Sequence, residues 1–179
     1  YPFVRQGWSD NQLGDFWVGT KVNLLSEARQ QPVALAIRGM VKIPTAKDDD
    51  EGVGTGKADF AFDGIVSKEI NKRVELSGYG GFMFRGDPST FDLSNGLRWG
   101  FGAGFPTRKH LRLTAELHGE QYFDDSIAYT GPALTSEDGS QPPAVTSINS
   151  PVNATFGLTW LGNNWFAGAG IGWNLAMSG

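Results

Sequence analysis

Apolar residues recur along most of this chain at every second position, and helical spacing is hard to find anywhere in it. In Gly14–Leu25 one parity reads Phe16, Val18, Thr20, Val22, Leu24, and the other reads Asp15, Trp17, Gly19, Lys21, Asn23. The next segment sets Val33, Leu35, Ile37, Val41 and Ile43 against Ala34, Ala36, Arg38, Met40 and Lys42. From Lys57, Phe60, Phe62, Gly64 and Val66 oppose Asp59, Ala61, Asp63 and Ser67; then Val74, Leu76, Phe82 and Phe84 oppose Arg73, Glu75, Ser77, Tyr79 and Arg85. The second half repeats the pattern in Leu97–Phe105, Leu111–Glu120, Val152–Trp160 and Trp165–Leu175. The alternation predicts eight strands of about 9–13 residues, longer than the usual five or six of soluble sheets and matched to the 9–11 residues of a tilted membrane-crossing strand.

The connections alternate in length. Ser26–Gln31, Asn71-Lys72, Pro106–Lys109 and Gly162–Asn164 are short, whereas Thr45–Gly56, Gly86–Ser94 and Phe123–Pro151 are long and rich in Asp, Gly, Ser and Pro. Short turns at one end and long loops at the other are the pattern of an outer-membrane barrel. The apolar parity carries essentially one charge, Lys68, at a strand end where its long stem can snorkel. The polar parity carries charges of both signs, as an enclosed lumen needs for mutual neutralisation. Aromatic residues gather at strand ends on the apolar parity: Phe105, Trp160 and Trp165 beside short turns, and Phe16, Phe60, Phe84, Trp99 and Trp173 toward the long loops. Two such girdles are expected where amphipathic rings sit at headgroup level.

Composition adjusts this picture. The chain has 179 residues, the length of one domain, and 25 are glycine, a share roughly twice the average. Much of that glycine lies on the polar parity (Gly100, Gly102 and Gly104; Gly168, Gly170 and Gly172), which fits a crowded, curved inner face and predicts where a lumen has most space. No run approaches 18 apolar residues, so no transmembrane helix is expected. A net charge of −4 without a basic block gives no footprint for nucleic acid, and the absence of cysteine excludes disulfides and thiol chemistry.

The runs GDFWVGTKVNLL, ALAIRGMVKIPT and GTGKADFAFDGIVSKEI resemble a broad group of bacterial outer-membrane barrels. The group includes proteins labelled meta-pathway phenol-degradation transporters and barrels fused to a peptidoglycan-binding OmpA-type domain. The resemblance spans most of the chain and rests on a Gly-Asp that opens a strand and a Lys-Ile-Pro-Thr that closes one before an acidic loop. It implies integral placement in a Gram-negative-type outer membrane, with the lipid bilayer as partner. Neither a proline-rich linker nor the OmpA-type domain is present in the sequence, so peptidoglycan binding does not carry over.

The fold class expected is therefore all-β, an antiparallel up-and-down transmembrane β-barrel filling 1–179 as one domain. Eight strands starting with a short connection put both ends on the outside, whereas single-chain barrels have even strand counts with both termini in the periplasm. The expectation is a barrel of ten or more strands, with flanking strands lacking at both ends.

Candidate chemistry is sparse. His110 and His118 share a parity but lie roughly 27 Å apart along a strand, too far to share a metal. Asp48-Asp49-Asp50-Glu51 reads as a solvated loop rather than a cation site, and Gly52–Lys57 fails the spacing of a phosphate loop. Asp124 and Asp125 lie near His118 without a positioned serine, Arg85-Gly86-Asp87 is a three-residue match of the kind chance supplies, and Asn153-Ala154-Thr155 falls inside a strand. No enzyme activity, metal or cofactor is expected. The constellation with mechanistic content is the set of lumen charges Lys21, Arg38, Lys42, Arg98 and Arg112 with Asp59, Asp63, Glu75 and Glu116. In a narrow barrel they fill the interior as a paired network and the protein is a structural anchor of OmpA type; in a wider one they line a passive pore for small solutes, hydrophobic ones by the resemblance. A third role, loop-mediated binding of a protein partner at the cell surface, rests on the length of Phe123–Pro151.

Overall fold

The computed structural model describes residues 14–45, 55–131, 141 and 144–175, and the acidic run 48–51 lies outside them. Among the described residues all regular structure beyond one 3-10 turn, Glu27–Arg29, is strand. The strands are β1 Phe16–Leu25, β2 Ala34–Ile43, β3 Asp59–Ile70, β4 Val74–Phe84, β5 Phe91–Asp92, β6 Gly96–Phe105, β7 Leu111–Tyr122, β8 Ser126–Tyr129, β9 Val145–Ser147, β10 Val152–Leu161 and β11 Phe166–Asn174. The eight long strands are those the alternation predicts, and they form one sheet in the order β1-β2-β3-β4-β6-β7-β10-β11, every neighbour antiparallel. β5, β8 and β9 arise within the long connections and make a second, three-stranded sheet. Strands of two to four residues are too short for a period to show, which is why the sequence reads there only as loop.

The β3–β4 connection shows how local sequence sets register. Asn71 and Lys72 have φ of 51° and 56°, and Arg73 N–H donates to the Ile70 carbonyl at 3.0 Å, the signature of a type I′ turn. Its twist matches that of the flanking strands, and pairing runs unbroken from Ile70↔Val74 to Phe60↔Phe84.

The two faces of the sheet differ in an unusual sense. The buried side chains of the long strands lie on the polar parity: Ala36 and Lys42 on β2, Asp59, Ala61 and Asp63 on β3, Met83 on β4. The apolar parity faces out, with Val18 on β1, Phe62 on β3, Phe101 on β6, Leu113 on β7 and Ile171 on β11 all exposed. Trp17 on β1, Tyr79 on β4, His118 on β7 and Asn153 on β10 line one cavity, so the sheet curls around its polar face. β1 and β11 are not hydrogen-bonded to each other; β1 is exposed up to Leu24 and β11 along its whole length, so among the described residues the sheet ends in two edges.

Candidate functional site

The concave face is built from rows of residues that the hairpin registers bring side by side. One row runs Lys21, Arg38, Asp63, Gly81, Arg98, Glu120 across β1, β2, β3, β4, β6 and β7. Asp63 is fully buried and accepts from Arg38 Nε at 2.8 Å on Oδ2, which also lies 2.7 Å from Arg38 Nη2. The same guanidinium sits over the Tyr79 ring, 5.6 Å from its centroid. Gly81 leaves room for this carboxylate: a Cβ there would overlap the Phe62 carbonyl oxygen and come within 2.7 Å of the Asp63 Cα. Because the obstruction is backbone, Gly81→Ala is expected to cost about 1–3 kcal/mol of stability, read from denaturant midpoints of the refolded protein.

Toward the long-loop end, the Lys42 ammonium is buried between Asp59 at 2.7 Å and Asp15 at 3.6 Å, and donates to Thr55 Oγ1 at 2.6 Å. The carboxylates carry the contact outward: Asp59 accepts from Gly86 N–H at 3.0 Å, and Asp15 from the N–H groups of Thr45 and Thr55. Lys42 thus fastens two of the three long connections to the sheet.

Two further pairs reach over an intervening strand. Arg85, just past β4, makes a bidentate contact of 2.7 Å per bond with Glu120 on β7. The pair passes β6 at Gly96, where a Cβ would come within 2.6 Å of the Glu120 carboxylate. Arg112 on β7 donates to Glu75 on β4 at 2.9 Å, crossing β6 at Gly104, where a Cβ would meet the guanidinium. Tyr79 likewise lies over Gly100. The room left by the β6 glycines is therefore taken up by neighbours' side chains. On β10 the Thr114 hydroxyl lies over Gly157, and on β11 a Cβ at Gly168, Gly170 or Gly172 would meet only backbone and the hydroxyls of Thr159 and Thr155.

At the short-turn end, Arg108 pairs with Glu69 at 2.6 Å and Thr107 Oγ1 donates to the same carboxylate, linking the β6–β7 turn to β3. Lys68 pairs with Glu27 at 2.7 Å and donates to the Pro32 carbonyl. The Lys68 ammonium first, and the Glu69 backbone N–H second, hold the Glu27 carboxyl below the ordinary carboxylate range.

Of the nine lumen charges expected from sequence, six are brought into ion pairs: Arg38–Asp63, Lys42–Asp59 and Arg112–Glu75. The pairs run along the wall, between adjacent strands or over one glycine-bearing strand, rather than across the interior. Lys21 is exposed, and Glu116 lies 3.5 Å from His118 Nδ1, which has no hydrogen bond. Arg98 makes no ion pair or hydrogen bond among the described residues. The Arg85–Glu120 and Arg108–Glu69 pairs escape sequence reasoning because each joins strands that are not consecutive. The signal that points to the first is a glycine strand between two oppositely charged ones.

Of the aromatic residues, Phe16, Phe60, Phe84, Phe105, Trp160, Trp165 and Trp173 are exposed on the convex face, with Phe60 paired directly to Phe84. Trp99 is half-buried against Gly119. His110 stacks on Trp160 and its Nδ1 lies 2.7 Å from the Leu161 carbonyl oxygen. The Arg85-Gly86-Asp87 tripeptide is held by structural contacts, since Asp87 accepts from Leu93 N–H and Arg85 is paired. No cluster of His, Asp or Glu suited to a metal ion occurs among the described residues. No family model matches the chain, and no curated protein or solved structure matches it either.

Proposed function

We propose that the chain is the wall of a transmembrane β-barrel in the outer membrane of a Gram-negative-type bacterium, serving as a structural membrane anchor of OmpA type. The observation that carries this reading is the inverted distribution of polarity: Phe, Leu, Val and Trp outside, and Lys42, Asp59 and Asp63 inside. Each large apolar side chain left in water forgoes about 1.5–3 kcal/mol, and exposed apolar patches on soluble monomers rarely exceed a few hundred Å². Hydrocarbon around the convex face removes that conflict. It also requires the backbone groups along β1 and β11 to be paired, because a lipid-exposed sheet edge is prohibitively costly. Flanking strands on those two edges, as in the barrel of ten or more strands expected from sequence, meet the requirement.

The anchor role is supported by the ion pairs along the wall, which tie up six of the nine expected lumen charges. A pore for small solutes is the second reading, favoured by the small, uncharged inner surface of Thr155, Gly157, Thr159, Gly168, Gly170 and Gly172. Planar-bilayer recording of the full protein separates them. The anchor predicts no stable unitary conductance at any voltage or salt, and reproducible conductance steps would replace it with the pore.

A further inference from the structure

Four of the large non-polar side chains on the otherwise polar concave face meet at one place. Trp17, Met40, Tyr79 and Met83 line a cavity of about 360 Å³. The registers explain the convergence: Met40, Ala61 and Met83 stand in one row across β2, β3 and β4, with Gly19 and Gly96 flanking them. Of the four, Tyr79 also packs under the Arg38 guanidinium and over Gly100, and Met40 over Gly19. Arg98 lines the same cavity. Arg38, Arg85 and Arg112 on this face each hold a carboxylate, whereas Arg98 holds none among the described residues. Its row neighbour Glu120 has both oxygens committed to Arg85. His118, also in the lining, leaves Nδ1 without a hydrogen bond.

We propose that this cavity binds a small monocarboxylate with an apolar body. The carboxylate would take the guanidinium fork of Arg98, whose planar donors match it bidentately. The apolar body would lie against the two methionines, which adapt to irregular shapes, and the rings of Trp17 and Tyr79. Glu120, His118 and Asn153 share the lining, and with the Glu120 carboxylate already held by Arg85 the one unpaired cation suits a single negative charge; a phosphate dianion would call for further donors. The cavity volume lies in the range of small-molecule sites. The proposal needs the concave face alone, and stands whether the barrel is an anchor or a pore.

The test is calorimetric titration of the full protein in lipid nanodiscs with hexanoate, hexan-1-ol and hexylammonium, each corrected for protein-free nanodiscs. Saturable binding of hexanoate is expected, at least about tenfold tighter than that of the alcohol or the amine. Arg98→Gln is expected to remove this preference and Arg98→Lys to keep part of it. Arg98 has no partner in the wall, so both variants should fold, as circular dichroism would verify. Trp17→Ser, on the exposed edge strand, is expected to weaken hexanoate while leaving the preference for the anion. Absence of saturable hexanoate binding, equal binding by Arg98→Gln, or equal affinity for the alcohol would each overturn the proposal, with no bearing on membrane insertion.

Discussion

Asp63→Ala is expected to destabilise the folded protein by about 3–5 kcal/mol, because it strands the Arg38 guanidinium without its counter-charge. Among the described residues Asp63 is the one large side chain that is fully buried, and both contacts from Arg38 fall on its Oδ2. Its Oδ1 has no hydrogen-bond partner, so the carboxylate is already incompletely compensated for the water it has lost. The side chain of Arg38 is 31% exposed, which lets the orphaned cation recover some hydration and places the expected value toward the lower end. Replacing both partners, Arg38→Met with Asp63→Leu, removes the desolvation cost together with the attraction and is expected to recover most of the loss. Denaturant titrations of wild type, the two single variants and the double variant give the coupling directly. A cost for Asp63→Ala within about 0.5 kcal/mol, the range of an ordinary surface substitution, would mean that the concave face is hydrated and the pair contributes nothing.

How far this arrangement could be read from the sequence differs from one contact to the next. Parity alone sorted Asp63 and Arg38 onto one face and Phe62 and Ile37 onto the other, since period-two alternation needs no knowledge of neighbouring strands. Which charge meets which depends on register. Between β2 and β3 the register follows from a long connection that carries no turn signature, so Arg38↔Asp63 was beyond reach. Between β3 and β4 the connection is tight, yet the register starts at Ile70↔Val74 and leaves Arg73 in the turn, so Phe60 pairs with Phe84, one residue beyond the Met83 that counting outward from Asn71-Lys72 gives. Arg112–Glu75 and Arg85–Glu120 require two registers at once, plus the recognition that a glycine can be a passage for a neighbour's side chain as well as an empty space. The convergence of Trp17 and Arg98 on one cavity depends on curvature, a property of the whole sheet that no local pattern encodes. The short strands β5, β8 and β9 owe their pairing to the wall that supports them. Phe123 N–H donates to Asn95 and Asp124 N–H to Ser94 at the rim, and the loop sequences hold no period of their own.

The central claim is that the convex face belongs in hydrocarbon and the concave face does not. Phe101 is the most direct probe: it lies in the middle of β6, is 65% exposed, and shares its face with Leu97 and Phe105. An arginine near the midplane of a lipid-facing strand costs about 2–4 kcal/mol, while an exposed substitution in water changes stability by about 0.5 kcal/mol or less. Thr155 on β10 is the matched control, because it lies on the polar parity between Gly172 and Glu116, whose carboxylate is an available counter-charge. The decisive measurement is the folding free energy of the full protein in phospholipid vesicles, for Phe101→Arg and Thr155→Arg against wild type. The membrane-wall reading predicts a loss of about 2–4 kcal/mol for Phe101→Arg and under about 1 kcal/mol for Thr155→Arg; equal, negligible losses at both positions, with the chain folded and soluble without lipid, would contradict it.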